Sequence, residues 1–66
     1  MKVYQNGSTP EAVFADTLCL NQIGTLNPYE ICDCYGIFEN RAIVRYKVDG
    51  KNNYKVGFVK WLSGVK

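Results

Sequence analysis

The chain has 66 residues, 47% of them hydrophobic and nine aromatic (five Tyr, three Phe, one Trp), with a formal net charge of +2. That length holds one small domain, 1–66, and that composition excludes a disordered low-complexity chain, which lacks such aromatic and β-branched content. No stretch approaches the roughly 20 apolar residues needed to cross a bilayer, so no membrane partner is expected, nor is a charged-then-apolar leader visible.

Lys2-Val3-Tyr4-Gln5 reads as a short strand, stopped by Asn6-Gly7 and Ser8-Thr9-Pro10. Ala12-Val13-Phe14-Ala15 reads as a second, ended by Asp16-Thr17, where Asp can form a local side-chain turn. Leu18 to Gln22 leads into Ile23-Gly24-Thr25-Leu26, and Asn27-Pro28 marks a turn before Tyr29. Tyr29 to Tyr35 alternates with period 2. The Cys32 and Cys34 face is expected inward, which leaves Tyr29, Ile31, Asp33 and Tyr35 outward. Gly36 is expected to break this strand, with Phe38-Glu39-Asn40-Arg41 as the next connection.

In the following strand Ala42, Val44, Tyr46 and Val48 face the core, while Ile43, Arg45 and Lys47 face solvent. Asp49-Gly50 is a hairpin signal within a loop to Asn53. Tyr54 to Val59 returns, and Gly57 in mid-strand implies a close backbone approach or a bulge. Lys60-Trp61-Leu62 reads as a tight turn that plugs one end. No segment sustains helical periodicity. Five or six short antiparallel strands therefore predict an all-β domain, a small SH3-like barrel whose closure removes exposed edges.

Charge is divided along the chain. Residues 1–40 carry one Lys against five acids, a net of −4, and residues 41–66 carry seven basic residues against Asp49, a net of +6. Such asymmetry can mark a polyanion surface, but in a β domain of modest net charge it reads first as solvated strand edges, where Lys discourages edge-to-edge pairing. Three cysteines make an odd count for a disulfide framework, and Cys32 and Cys34 on one strand face have awkward geometry for a bridge. The chain has no His and no CxxC spacing, so neither metal nor cofactor is expected. The cysteines read as small reduced hydrophobes in a protein made in a reducing cytosol.

Ile23-Gly24-Thr25-Leu26, Ile43-Val44-Arg45-Tyr46, Asp49-Gly50-Lys51, Gly57-Phe58-Val59 and Trp61-Leu62 together resemble the bacterial SH3-like (SH3b) family over roughly residues 12–62. Val13-Phe14-Ala15-Asp16-Thr17, Ile23 to Glu30, Cys32-Asp33-Cys34 and Arg41 to Gly50 are more narrowly similar to the C-terminal cell-wall-binding domains of endolysins from phages of clostridia. Related bacterial N-acetylmuramoyl-L-alanine amidases share the likeness. The resemblance implies a non-catalytic domain that targets Gram-positive peptidoglycan or a wall-associated polymer. It further implies synthesis in the host bacterial cytoplasm, then action at the cell wall. Such domains normally follow an N-terminal hydrolase, so the chain reads either as a piece of a parent endolysin or as a free binding domain started internally at Met1-Lys2-Val3.

The residues themselves speak against catalysis. Without His, a Ser-His or Cys-His nucleophile pair is impossible, and six scattered acids single out no glycosidase pair. Recognition is left: aromatics stack on sugar faces, and Arg forks onto carboxylate or phosphate. The candidates are Tyr29, Asp33 and Tyr35 on the outer strand face, Phe38, Glu39, Asn40 and Arg41 in the connection, and Tyr54 and Trp61 near the barrel end. Trp61 reads first as a core plug and only second as a contact; Tyr35 and Arg41 are expected to be the most exposed. Arg45 and Lys47 read as solvation of a strand face. The alternative function is nucleic-acid binding, in which a small barrel stacks bases on aromatics beside the basic C-terminal segment. A proline-rich-peptide adapter fits less well, because the Ala-Leu-Tyr-Asp-Tyr start of that class is missing. Ile31 and Ile43 on otherwise polar faces suggest a homodimer, which would raise avidity on a repetitive wall.

Overall fold

A computed structural model of the chain describes residues 2–48 and 52–66. The expected Asp49-Gly50 turn lies outside the described residues. Six strands follow in order: β1 (Lys2–Gln5), β2 (Glu11–Phe14), β3 (Gln22–Leu26), β4 (Ile31–Phe38), β5 (Arg41–Val48) and β6 (Asn53–Val59). All pair antiparallel in one sheet of order β1-β4-β5-β6-β2-β3, and no helix occurs among the described residues. The fold is all-β, a small barrel-like sheet, as the alternation predicted.

β5 is its centre. Ala42, Val44 and Tyr46 are buried and the residues between them are not, the period-2 signature of a strand with one face on a core. Around them gather Tyr4, Val13, Leu26, Cys32, Cys34 and Val59, with Val48 and Val65 packed against the cluster. Gly57 lies where a Cβ would come within 2.6 Å of a Val13 methyl and 2.9 Å of the Phe14 carbonyl, so the close approach expected there is real.

Hydrogen bonds between strands do not close the sheet, which corrects the expected closure; β1 and β3 end it. The free side of β1 is covered by the C-terminal segment: Gln5 N–H donates to Gly64 O at 2.8 Å and Lys66 N–H to Val3 O at 2.9 Å. Side chains then span the remaining gap. Buried Asn6, just after β1, donates from Nδ2 to Thr9 O and Asn27 O, both at 2.9 Å, and its Oδ1 accepts from Gly7 N–H. The Tyr4 hydroxyl reaches from β1 to the Glu11 carboxylate at the start of β2. These bonds do what ladder pairing would do in a closed barrel.

Three further sequence expectations are corrected. The fourth strand begins at Ile31, not Tyr29, because Tyr29 sits in the preceding turn with φ 61°. Gly36 does not break that strand. It occupies a bulge at φ 148°, where the pairing shifts between Cys34 and Gly36, and β4 continues to Phe38. The connection to β5 is correspondingly tight. Phe38 pairs with Arg41, and only Glu39 (φ 49°) and Asn40 (φ 64°) form the turn. Both left-handed angles suit the twist of a two-residue hairpin.

Candidate functional site

The turn between β3 and β4 separates two grooves. Asn27, Pro28 and Glu30 line one of about 560 Å³ with Ile31, Cys32, Asp33, Arg45, Lys47 and Tyr54. Tyr29, from the same turn, lines the other, of about 480 Å³. There it joins Trp61, Glu11, Tyr4, Asn6 and Lys66. The fold thus brings together two sequence-predicted candidates, Tyr29 and Trp61, that lie far apart in the chain.

Trp61 is 61% exposed, which corrects its reading as a core plug. The end it was expected to fill is already occupied. The Tyr4 ring sits there, and Gly64 passes so close that a Cβ would come within 2.8 Å of it. Val65 packs beside this contact. Lys60 to Leu62 is therefore carried outward, and the tight turn lies one step later, where Val65 N–H donates to Leu62 O at 3.0 Å.

Tyr29 is 66% exposed and held by its backbone, whose N–H donates to Gly7 O at 2.8 Å. A left-handed aromatic residue is uncommon, because its Cβ crowds the following carbonyl. Beside these two rings Glu11 is half-buried and accepts a hydrogen bond from Tyr4. Burial, the Glu11 hydrogen bond and its charge hold the Tyr4 phenol far above its ordinary pKa, so it stays a donor. Sequence reading missed Tyr4 and Glu11 as groove residues. A Glu opening the segment Glu11-Ala12-Val13-Phe14 was the available signal, but only tertiary packing relates it to Tyr29.

The other groove carries charge. Arg45 stacks its guanidinium 4.0 Å from the Tyr54 ring centroid and pairs with Asp33 at 3.6 Å. Asp33 faces Arg45 across the β4–β5 ladder, and Lys47 faces Tyr54 across β5–β6. Asp33 and Tyr54 were expected as candidates; Arg45 and Lys47, read as mere solvation, line the same groove. Glu30 also lines it, with Oε1 accepting from Asn27 N–H at 2.8 Å.

The remaining candidates lie in neither groove. Tyr35, 51% exposed, is the extra residue of the β4 bulge. Phe38 is half-exposed against Phe58, with ring centroids 6.5 Å apart. Asn40 is in the hairpin turn. Arg41, expected to be free on the surface, is only partly exposed and is a tether: Nε donates to Thr17 O at 2.9 Å and an Nη to Lys60 O at 3.4 Å. Glu39 ties the same loop by accepting from the Thr17 hydroxyl at 2.6 Å.

Cys32 and Cys34 are buried and Cys19 is half-buried, all as free thiols. Among the described residues no group of three or more His, Cys, Asp or Glu side chains is placed to hold a metal ion. No described helix is long and apolar enough to cross a membrane. No family model, curated protein or solved structure matches this chain.

Proposed function

We propose that the protein is a non-catalytic binding domain that recognises a Gram-positive cell-wall polymer, peptidoglycan or a secondary wall glycan, and that the Tyr29–Trp61 groove is its contact surface. The observation that carries this reading is two large aromatic side chains, both mostly exposed, lining one groove with a carboxylate and buried amide and phenol groups. Ring faces cover the apolar faces of sugars, and the polar groups between them bond hydroxyls. The left-handed backbone at Tyr29, which a bulky aromatic rarely adopts, is consistent with a task for its ring. The likeness of Ile23 to Glu30 and Arg41 to Gly50 to endolysin wall-binding domains supports it further, and suggests a parent hydrolase and a place of action at the wall.

The test is retention of the labelled protein on purified Gram-positive walls, clostridial ones included. Trp61→Ala and Tyr29→Ala should lose most retention while Arg41→Lys keeps it. Equal retention of both aromatic variants would remove this groove from the reading.

A second reading, nucleic-acid binding, draws on the Arg45–Tyr54 stack with Lys47 beside it. Binding to single strands that fades steeply with salt, with none to walls, would favour it. A homodimer is also proposed, through the outer face of β4, β5 and β6. Ile43 faces Phe58 there, and Ile31, Tyr35 and Val56 are exposed. Sedimentation equilibrium that finds only a 7.5 kDa species at tens of micromolar would retire it.

A further inference from the structure

We propose that the Tyr29–Trp61 groove takes a protonated amine carried on a sugar ring, with Glu11 as its counter-ion, so that it prefers N-unsubstituted over N-acetylated amino sugars. This deepens the wall-binding reading of the same groove and rests on it.

The argument starts from Glu11. It opens β2 at the groove wall, partly withdrawn from water, and its Oε1 is held by the Tyr4 hydroxyl. Tyr4 itself is 2% exposed, so the carboxylate is anchored to the core rather than to a mobile surface group. Among the described residues the one ion pair joins Arg45 and Asp33, in the other groove, and Glu11 has no cationic partner. Glu11 is only partly exposed and the Tyr4 hydroxyl occupies one of its oxygens, so its carboxylate stands in the groove wall with no described cation paired to it.

The chemistry around it selects the ligand. The Glu11 charge disfavours an anionic group placed beside it. A neutral sugar stacks on Tyr29 and Trp61 but makes no use of the charge. An ammonium group uses both, because aromatic faces attract cations through their quadrupole and the carboxylate neutralises the charge directly. Acetylation of the amine removes that charge while leaving the ring to stack. Lys66 also lines the groove, pinned by its backbone N–H to Val3 O, but its side chain makes no ion pair with Glu11.

The experiment is calorimetric titration of the 66-residue protein with β-1,4-linked glucosamine oligomers and with their fully N-acetylated counterparts of equal length. The free-amine oligomer should bind about tenfold tighter, the equivalent of one modest charge-assisted contact. Glu11→Gln keeps an acceptor for the Tyr4 hydroxyl and should erase the preference. Circular dichroism checks that this variant folds, and exposed Trp61→Ala provides a second variant that should weaken the amine oligomer. Equal affinity for the two oligomers, no binding of either, or a preference that survives Glu11→Gln would overturn the proposal. Wall retention is measured in parallel. Retention without an amine preference sinks this inference alone, whereas amine binding without retention sinks the wall reading and leaves the site.

Discussion

The Tyr46 hydroxyl donates to the Ile23 carbonyl at 3.3 Å, across the interior from β5 to β3, and its ring fills the space beside Gly24. A Cβ at Gly24 would come within 2.6 Å of the ring carbon Cε2. The tyrosine is 2% exposed, so it has little room to swing away. Gly24 is thus the socket for the side chain that links the last strand of the sheet to its middle.

Replacing that socket should cost more than removing the hydrogen bond. Tyr46→Phe should lose about 1 kcal/mol, the net worth of an ordinary hydrogen bond. Gly24→Ala should lose about 1–3 kcal/mol through overpacking. Urea denaturation of the two variants and of the double variant measures both terms and their coupling. A Gly24→Ala protein as stable as the parent would mean that the ring is not confined.

Asn6 should be the most sensitive polar position. Its side chain serves Thr9 O, Asn27 O and Gly7 N–H together, at the place where β1 and β3 fail to pair. Asn6→Ala strands these groups and should cost about 2–4 kcal/mol. Asn6→Asp should be at least as damaging at neutral pH, because the introduced carboxylate faces two carbonyl oxygens. Its folded-state pKa is raised, so stability should partly return as the pH falls. Thermal unfolding across acid pH checks the sign.

How much of this was legible in the sequence depended on whether a residue's role was local. The alternation Ala42-Ile43-Val44-Arg45-Tyr46 specified β5 and its buried face without help, since period 2 is a property of the strand itself. Gly36 misled because a mid-strand glycine serves a bulge as readily as a break. The hairpin at Glu39-Asn40 was hidden because only Asn advertises a left-handed turn, and Glu39 is fastened there by Thr17 from another loop. Trp61 was misplaced by its size. Large aromatics usually fill cores, but the space was claimed by Tyr4 and Gly64 from opposite ends of the chain. The groove that joins Tyr29, Glu11 and Trp61 exists only after β1, β2 and the C-terminal segment meet.

Thiol chemistry should separate the three cysteines. Burial, with the nearby Glu30 charge, pushes the Cys32 thiol up to about 12, and Cys34 is buried beside it. At mildly alkaline pH a thiol reagent should label Cys19 quickly in the folded protein and the other two only on unfolding. The raised pKa also sets a stability trend. The folded state holds the proton more tightly, so this contribution is full below the unfolded thiol value of 9.0 and declines as pH rises toward about 12. Urea midpoints that fell from neutral pH toward 9.0 as steeply as above it would contradict this linkage.

Tyr29 offers the sharpest separation of stability from function. At φ 61° its backbone pays for a conformation that glycine adopts freely, and its mostly exposed ring returns little packing. Tyr29→Gly keeps the backbone N–H that bonds Gly7 O, so the turn remains pinned. Relief of left-handed strain, less the added chain entropy of glycine, should leave the variant about 0.5–1 kcal/mol more stable than the parent. If the ring is kept for wall binding, the same variant should lose most of its retention on purified walls. Greater stability with undiminished retention would take Tyr29 out of the contact surface and leave the strain without a functional reason; lower stability would show that the ring supports the turn itself.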